Sequence, residues 1–413
     1  MSRKRRKPKN EAELKNYNLK NFVNEKVYSP IETNNVKKIA DAAIKILAEI
    51  GMSDAPKELC ELVLKRGGKL EGDRLIYPPN LIENTIAKHQ RVVLLAGQTI
   101  ENDLHVGGNH VYAGTGGAAP NLQNSKTNEY VPSKLKDLYN AARLADRLPH
   151  ISFFSRSLVA GDVEDPLEFD LSTAAASLAG TSKHVMVQAS HWSHVVAIAE
   201  LCYKIAGGEE SFRKRPFLSL HVNHAVPPLR FDPASIKVMI EAAKLGIPVH
   251  CNVFGQLGAS SPVTIAGSVS QTLAENLAGL VAVHILDPEA PSIAGPRPMI
   301  TDLRTGGMAG GAPEQLMATA AAVQVMQYWD IPCSVIAGAT DSKLVDFQSG
   351  YEKALTINSA AQTGANLITQ AAGSQASLMA VNYGAMVADN ELIGVLFRSN
   401  IIPEISDETL MHE

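Results

Sequence analysis

Short apolar runs alternate with helical patterns along most of the chain. Eight apolar runs have the length of buried strands, and they cover residues 111–114, 151–159, 184–189, 217–222, 247–254, 291–294, 333–337 and 367–371. Helical apolar spacing follows at residues 134–148, 167–179, 193–206, 233–245, 263–286, 313–329, 344–363 and 375–386. This eightfold alternation predicts an α/β fold, a (β/α)8 TIM barrel. A doubly wound open sheet is the alternative, although no G-x-G-x-x-G motif opens a helix after the first strand.

The first hundred residues lack this alternation and predict a separate region. Helical patterns cover residues 36–50, 57–65 and 80–88, and strands are expected at 92–96 and 110–113. We therefore expect three segments. They are a basic, disordered tail over residues 1–30, an N-terminal helical cap with short strands over 31–110, and the barrel over 111–413.

The positive charge of the chain is concentrated in the tail. The 413 residues are 45% hydrophobic and 19% charged, which is typical of a globular protein with a large core. Six of the first nine residues are lysine or arginine, and without them 32 basic residues face 42 acidic ones. The formal net charge of −4 gives no reason to expect a nucleic acid partner. No apolar run is expected to reach the length of a membrane span.

The cysteines and histidines form no metal-binding motif. The four cysteines, at positions 60, 202, 251 and 333, lie far apart, so we expect buried thiols in a reducing cytoplasm. His221 and His250 could ligate a metal, but no H-x-H, H-E-x-x-H or carboxylate bridge accompanies them. The sequence therefore favours a site without a metal.

Polar residues recur on one face of three neighbouring strands. Successive strand side chains point to opposite faces, so residues 249, 251 and 253 form an apolar face that is expected to pack on helices. The opposite faces are expected to point into the barrel, with the polar set Gln188, His221, Asn223, His250 and Asn252. Because buried polar groups require partners, this set predicts a ligand pocket. An internally satisfied polar layer with buried water is the alternative.

Polar and glycine-rich loops follow several of the strands. After the run at 333–337, a loop with Asp341 leads into a helical pattern that carries Gln348, Tyr351 and Glu352. Ligands bind at the carboxyl ends of strands in α/β folds; a simple helix N-cap at Asp341 or Ser342 is the alternative. The loops at 114–117 and 306–311 match no Walker motif, but their glycines would let a backbone approach a large flat ligand.

The motifs together resemble the trimethylamine and betaine methyltransferase family. The resemblance is carried by YAGTGGAAPNL (112–122), SFFSRSLVAGDV (152–163), SLAGTSKHVMVQA (177–189), RPFLSLHVN (215–223), NVFGQLGASSPVTIAG (252–267), GPRPMITDLRTGGMAGGAPE (295–314) and AGATDSKLVDFQSGYEKALT (337–356). The last three are the most specific. The resemblance implies a (β/α)8 barrel that moves a methyl group from a methylated amine to the cob(I)alamin of a separate corrinoid protein.

The resemblance also implies which branch of the family this is. Trimethylamine members carry pyrrolysine, and this sequence has none, so it is similar to the branch that uses quaternary amines such as glycine betaine. A quaternary amine already contains a neutral leaving group, so the enzyme has to hold the cation, aim one methyl group and exclude water. Family members continue past Glu413 with another helical segment, so we expect a truncated C-terminal end and, for the whole protein, a homo-oligomer.

This implied function assigns roles to the candidate residues. The cationic end of the substrate is expected to meet Tyr112, Phe154, Phe254, Tyr351 and Glu352. Its carboxylate end is expected to meet His221, Asn223, His250 and Asn252, with Gln348 next to them. Gln188 is a further candidate for substrate contact. The corrinoid cofactor is expected to approach Gly116, Gly117, Gly310, Gly311 and Asp341. A non-catalytic binding barrel is the main alternative; an aldolase-type barrel would need a Schiff-base lysine, with Lys343 and Lys353 as the candidates.

Overall fold

The computed structural model describes Phe22–Val23, residues 28–401, residue 403, residues 405–406 and residues 408–410. Most of the basic tail predicted for residues 1–30 lies outside the described residues. The N-terminal elements are β1 (Phe22–Val23), α1 (Thr33–Glu49), β2 (Met52–Ser53), α2 (Lys57–Leu64), β3 (Lys69–Glu71), β4 (Arg74–Ile76), α3 (Pro79–Lys88), β5 (Val92–Leu95), a 3-10 turn (Ile100–Asn102) and β6 (Leu104–Gly107).

Strands and helices alternate through the rest of the chain. The elements are β7 (His110–Ala113), β8 (Asn121–Gln123), β9 (Tyr130–Pro132), α4 (Leu135–Arg147), β10 (Phe153–Ser155), α5 (Pro166–Gly180), β11 (His184–Val187), α6 (Trp192–Ala206), α7 (Glu209–Lys214), β12 (Leu218–Asn223), α8 (Pro233–Lys244), β13 (Val249–Gln256), α9 (Ile265–Leu286), β14 (Ser292–Met299), α10 (Pro313–Tyr328), β15 (Ser334–Ile336), α11 (Phe347–Thr363), β16 (Leu367–Thr369), β17 (Ser374–Gln375), β18 (Ala380–Val381) and α12 (Tyr383–Ser399). Each of the eight predicted apolar runs overlaps one of these strands.

Parallel pairing joins these eight strands in two groups. Strands β10 to β14 form a five-stranded sheet in chain order, and all of its pairs are parallel. Strand β16 pairs in parallel with both β15 and β7. The predicted α/β class with a parallel sheet is therefore confirmed.

The apolar faces of the strands pack on the helices, as the alternation predicted. Val249, Cys251 and Val253 of β13 are fully buried in the main apolar core, together with residues of α8 and α9. A second, smaller cluster combines β5 and β6 with the side chains of Tyr112 and Phe153. This arrangement leaves the opposite faces of β11 to β13 to point towards the space that the strands enclose.

Helix α9 has apolar residues on every side because most of its length is buried on every side. The N-terminal helices α1 and α3 pack against it from one direction, and β13 and β14 lie against it from the other. A helix buried all round has no need of a polar face. Among the described residues, α9 alone has the length and apolar composition of a membrane span, which corrects our expectation that no such run exists; 89% of the relevant window is buried inside the protein.

The last predicted helix is wrong in its position. Residues 375–386 contain the end of β17, a turn and β18, and α12 begins only at Tyr383. Ala376, Ser377 and Leu378 have φ angles of 52°, 53° and 71°, which no right-handed helix contains. The side chain of Asn382 then caps α12 by accepting a hydrogen bond from the Ala385 amide at 3.0 Å.

Glu275 of α9 makes the stability of the protein depend on pH. Its Oε1 accepts hydrogen bonds from the Leu229 amide at 2.6 Å and the Gln271 Nε2 at 3.2 Å, while Oε2 has no partner among the described residues. Burial raises the pKa of Glu275 from 4.5 to about 7. Because the folded pKa is raised, the carboxyl stabilises the fold below pH 4.5, and this contribution is lost as the pH rises towards 7.

We expect Glu275→Gln to remove this dependence. Between pH 5 and 8, the free energy of unfolding of the wild type should fall relative to that of Glu275→Gln, as measured by chemical denaturation. Glu200→Gln, at an exposed glutamate of α6, is the matched control and should follow the wild type. Parallel pH profiles of wild type and Glu275→Gln would contradict the assignment.

Candidate functional site

The inward faces of the parallel strands meet in one pocket at the carboxyl ends of the strands. Counting its open mouth, the pocket has an empty volume of about 730 Å³. It is lined by Gly117, Ala118, Ser155, Arg156, Met186, Val187, Gln188, His221, Asn223, Asn252, Phe254, Arg297, Thr369, Gln370 and Leu378. Six of the predicted site residues are among them: Gly117, Gln188, His221, Asn223, Asn252 and Phe254. A pocket of this size suits a small organic ligand.

A hydrogen bond between neighbouring strands determines the protonation of His221. The Asn252 Nδ2, which can only donate, lies 2.9 Å from the His221 Nδ1. His221 therefore carries its proton on Nε2, which lies 3.3 Å from the Ser155 Oγ. Burial lowers the pKa of His221, and the nearby Arg297 guanidinium lowers it further. The imidazole is neutral and offers no acid near pH 7.

His250 lies outside the pocket, which corrects its predicted place in the wall. Its Nε2 lies 2.9 Å from the Ser219 Oγ, and the same hydroxyl is 2.8 Å from the His184 Nε2. The His250 ring stacks on that of His221 with a centroid distance of 4.6 Å. Burial lowers the pKa of His250 and His184, so both are neutral. These residues form a polar layer behind His221, in which the His250 Nδ1 has no partner among the described residues.

Three of the four predicted aromatic contacts do not reach the pocket. The Tyr112 hydroxyl accepts from the His105 amide at 3.2 Å within the small apolar cluster. Phe154 lies in the main core, because its neighbours Phe153 and Ser155 take the inward direction on β10. Tyr351 is 44% exposed and packs on Phe347. Among the described residues, Phe254 is the one aromatic side chain in the lining.

Gln348 and Glu352 belong to a structural network beside the pocket. The Glu352 Oε2 accepts from the Thr340 Oγ1 at 2.5 Å and from the Asp341 amide at 2.8 Å. Its Oε1 accepts from the Gln348 Nε2 at 2.7 Å. Neither side chain lines the pocket, so their predicted contact with substrate is corrected: they hold the loop after β15 to the start of α11.

Asp341 joins three loops around the mouth of the pocket. Its Oδ1 accepts from the Gly310 amide at 2.9 Å and the Ser377 Oγ at 2.8 Å, and its Oδ2 accepts from the Gly311 amide at 3.2 Å. Asp341, Gly310 and Gly311, which were predicted to contact the cofactor, bind one another, so these hydrogen bonds are not available to a ligand. A Cβ at Gly311 would lie 2.3 Å from the Glu352 carboxyl carbon, so glycine is required for loop packing.

The segment 376–378 forms part of the mouth in a strained conformation. Three consecutive non-glycine residues adopt positive φ angles, which is rare for L-amino acids. The loop at 340–342 holds them, since the amides of Ala376 and Ser377 donate to the carbonyls of Ser342 and Thr340 at 2.8 Å each. Leu378 thereby reaches the lining of the pocket. Opposite this segment, Gly116 and Gly117 have φ angles of 153° and 105°, which favour glycine.

Two arginines are the functional residues that sequence reasoning missed. Arg156 directly follows β10, and Arg297 lies within β14. The predicted strand ended at residue 294, whereas β14 continues to Met299 through Pro296 and Pro298, residues that are usually confined to edge strands. Strand β14 tolerates both prolines, since it pairs with β13 along its whole length but meets β15 through a single bridge, Ala294–Cys333. For Arg297, the P-R-P sequence at 296–298 was the available signal.

The two arginines give the pocket a positive charge. Burial lowers the pKa of Arg297 to about 9, and burial also lowers the pKa of Arg156. No aspartate or glutamate is found among the described lining residues. The candidate Schiff-base lysines lie elsewhere: the Lys343 Nζ binds the Asp341 carbonyl, and the Lys353 Nζ pairs with Asp389 at 2.7 Å. Throughout the described part of the chain, no group of three or more His, Cys, Asp or Glu residues could hold a metal ion.

Comparison with known proteins identifies relatives along the whole chain. The family described as "Trimethylamine methyltransferase (MTTB)" matches residues 1–410, which confirms the resemblance inferred from the sequence. Trimethylamine methyltransferase MttB of Desulfitobacterium hafniense (strain DSM 10664 / DCB-2) is 27% identical over 401 residues, covering 97% of this chain and 78% of the relative. Glycine betaine methyltransferase of Desulfitobacterium hafniense (strain Y51) is 26% identical over 373 residues, covering 89% and 77%.

A solved structure has a similar fold. The monomethylamine methyltransferase (MtmB) of Methanosarcina barkeri superposes with a TM-score of 0.60 over 92% of this chain and 76% of that one. The sequence identity is 12%, so the likeness concerns the fold alone.

We expect Asp341→Asn to loosen the loops around the mouth. An amide keeps one acceptor oxygen and turns its NH2 towards a backbone N–H, so one of the three donors loses its partner. The free energy of unfolding should fall by about 1–3 kcal/mol, and the amides of Gly310 and Gly311 should exchange faster in hydrogen–deuterium exchange. Asp73→Asn, in the exposed turn between β3 and β4, is the control. Unchanged exchange at both glycines would contradict the role of Asp341.

Proposed function

We propose that this chain, which belongs to the trimethylamine methyltransferase family, transfers a methyl group from a quaternary, betaine-like amine to the cob(I)alamin of a corrinoid protein. The observation that carries the proposal is the pocket at the carboxyl ends of β10 to β14, whose polar lining contains no carboxylate among the described residues. The names of the relatives, which include a glycine betaine methyltransferase, support the same reaction class.

We also propose that the eight parallel strands close into a (β/α)8 barrel, with residues 31–110 as an N-terminal helical cap and 111–413 as the barrel. Two single parallel bridges support closure, because they connect the two groups of strands: Gly114 with Phe153, and Ala294 with Cys333. In such a barrel, the pocket lies where active sites of this fold are found.

The proposed reaction is a direct displacement. When bound, the reduced corrinoid would supply the electron pair that takes the methyl group, and the C–N bond pair would leave with the neutral tertiary amine. No proton is transferred, so the site needs no general acid or base. The neutral His221 meets this requirement, because Asn252 and Ser155 hold both of its ring nitrogens. The enclosing walls orient the amine and exclude water.

Asn223, Asn252, Gln188, His221 and Phe254 remain our candidates for substrate contact, since all five line the pocket. For contact with the corrinoid we retain Gly116 and Gly117 alone. A Cβ at Gly117 would lie 3.4 Å from Gln370 and 3.5 Å from Leu378, so the bare backbone leaves space at the mouth.

The surface beside the mouth also suits a corrinoid. A groove of about 780 Å³ empty volume, open to solvent, adjoins the pocket and shares Phe254 and Leu378 with it. Its other apolar residues are Val226, Pro227, Met299, Ile300 and Met308. Such a surface fits the edge of a corrin ring carried by a partner protein.

We further propose a reducing, cytoplasmic location and a homo-oligomer. The location is supported by the four cysteines, which are all free. Oligomerisation is supported by the exposed, uncharged stripe of Phe347, Tyr351 and Leu355 along α11.

Anaerobic mixing with cob(I)alamin tests the reaction. The protein, free cob(I)alamin and one amine from a panel of glycine betaine, carnitine, proline betaine and choline are combined, and the cobalt spectrum is followed. We expect at least one amine to convert cob(I)alamin to its methylated form. If amines bind but none methylates the cobalt, the protein is a non-catalytic binding barrel.

Asn252→Ala is expected to weaken substrate binding while leaving the fold intact. The substitution removes a donor from a desolvated wall and frees His221 to change tautomer. Loss of such a bond costs roughly 1–3 kcal/mol, which corresponds to an affinity about ten- to a hundredfold weaker by calorimetry. Asn84→Ala, at an exposed residue of α3, is the control. Unfolding of Asn252→Ala, or unchanged affinity, would make Asn252 a purely structural residue.

A further inference from the structure

Arg297 places a positive charge inside the protein without a counter-charge. Its side chain is buried, with 3% of the residue exposed. One nitrogen, Nη2, donates to the Ser334 Oγ at 3.2 Å, and the guanidinium lies over the Phe254 ring at 5.2 Å. Its Nε and Nη1 have no hydrogen-bond partner among the described residues. A buried charge in this state is unfavourable, so the pocket is prepared for a group that is not part of the chain.

Arg156 adds a second guanidinium to the same pocket. Its Nη2 donates to the Gln188 Oε1, and its Nε lacks a partner among the described residues. The Asp170 carboxylate raises the pKa of Arg156 and partly offsets the effect of burial. Burial is the one cause that shifts the pKa of Arg297. The unbalanced charge is therefore greatest at Arg297.

Given the proposed function, we propose that Arg297, assisted by Arg156, binds the carboxylate of the amine substrate, so that the enzyme selects carboxylate-bearing betaines and rejects quaternary amines without one. A carboxylate accepts charge-assisted hydrogen bonds from a guanidinium and would occupy the free Nε and Nη1 of Arg297. The neighbouring amide groups of Asn223 and Asn252, which also line the pocket, are neutral and cannot replace that charge.

The same charges act against a purely cationic amine. Choline or tetramethylammonium would bring a third positive charge into a buried pocket, where charges repel more strongly than in water. The lining also offers no aromatic cage: Phe254 is its one described aromatic residue, and Arg297 already lies over that ring. A betaine avoids this repulsion because its own carboxylate lies between its ammonium group and the guanidinium.

This arrangement also orients the substrate. With the carboxylate at Arg297, whose guanidinium reaches the interior strand β15 through Ser334, the ammonium group points the other way. Its methyl groups then face the mouth near Gly117, Gln370 and Leu378. A methyl acceptor that approaches from outside meets the methyl group and not the carboxylate.

Calorimetric binding to the wild type provides the first test. Glycine betaine carries a carboxylate where choline carries a hydroxymethyl group. Carnitine and proline betaine are two further amines with a carboxylate. We expect at least one of the three carboxylate amines to bind at least a hundredfold more tightly than choline. If none of the three binds more tightly than choline, the inference is overturned.

Arg297→Gln provides the second test, because it keeps hydrogen-bonding capacity and removes the charge. The affinity for the preferred betaine should fall about ten- to a hundredfold. The ratio of betaine affinity to choline affinity should therefore decrease. Arg156→Gln should cause a smaller loss, and Arg297→Lys should retain part of the preference. Arg213→Gln, at an exposed arginine paired with Glu209, is the matched control and should bind like the wild type.

The stability of the ligand-free variants separates a binding role from a structural one. Because Arg297 is an uncompensated buried charge, ligand-free Arg297→Gln should unfold at a temperature equal to or above that of the wild type. A lower unfolding temperature together with an unchanged betaine-to-choline ratio would make Arg297 structural and overturn the inference. If Arg297→Gln does not fold, the betaine-to-choline selectivity of the wild type and the betaine affinity of Arg156→Gln still test the carboxylate site.

Methyl transfer to cob(I)alamin, measured with the same amines, distinguishes this inference from the proposed function. Selective betaine binding without transfer would support the carboxylate site and refute the methyltransferase activity. Equally efficient transfer from choline and from the betaines would support the activity and refute the carboxylate site.

Discussion

The pocket depends on the register of three neighbouring parallel strands. Asn223 of β12 lies opposite Asn252 of β13, which lies opposite Gly295 of β14. A slip of one residue would turn every inward side chain outward. Gly295 is essential to this register, because a Cβ there would lie 2.1 Å from the Asn252 Oδ1. Helix α9 fixes the position, since the Asn276 Oδ1 accepts from the Gly295 amide at 2.8 Å.

The interior of the protein accepts polar groups in two different states. The histidines at positions 184, 221 and 250 are neutral and bind one another through Ser219 or stack ring on ring. Neutral groups with hydrogen-bond partners can be buried at small cost. The two arginines keep donors free and lack a close carboxylate in the lining. The His250 Nδ1 and the Asn252 Oδ1 also lack partners among the described residues, but those groups are neutral, whereas the arginines carry a charge.

The loops around the mouth depend on two carboxylates with structural roles. Glu352 binds the loop after β15, and Asp341 binds the loops at 310–311 and 376–378. These bonds hold a strained segment in place and position Leu378 at the pocket. Such strain persists where the surrounding structure determines it, and it is common at functional sites. Asp341 and Glu352 thus bind loop residues, and neither carboxylate forms a described ion pair with the arginines of the pocket.

Local periodicity explains what the sequence by itself determined. The period of two along a strand depends on the backbone alone, so His221, Asn223 and Asn252 could be assigned to the inward face, and each of the eight strands could be located. The alternation of strands and helices predicted the α/β class for the same reason, and the motifs predicted the family that residues 1–410 match.

Tertiary structure alone decided which inward-facing residues of each strand line the pocket and which lie behind it. It also decided which long side chains reach the pocket. His250 points inward as predicted. It lies two residues before Asn252 on β13, however, so it binds Ser219 in the layer behind the pocket and does not line the pocket. Arg297 was missed because the predicted strand ended at residue 294, whereas β14 continues to Met299. Its two prolines are tolerated where a neighbouring strand pairs through a single bridge. Asp341, Gly310 and Gly311 were predicted to meet a ligand, but loops distant in sequence bring them together and use up their hydrogen bonds. Strand direction is a local property, whereas the depth of a side chain and the identity of its partners depend on contacts between residues far apart in the chain.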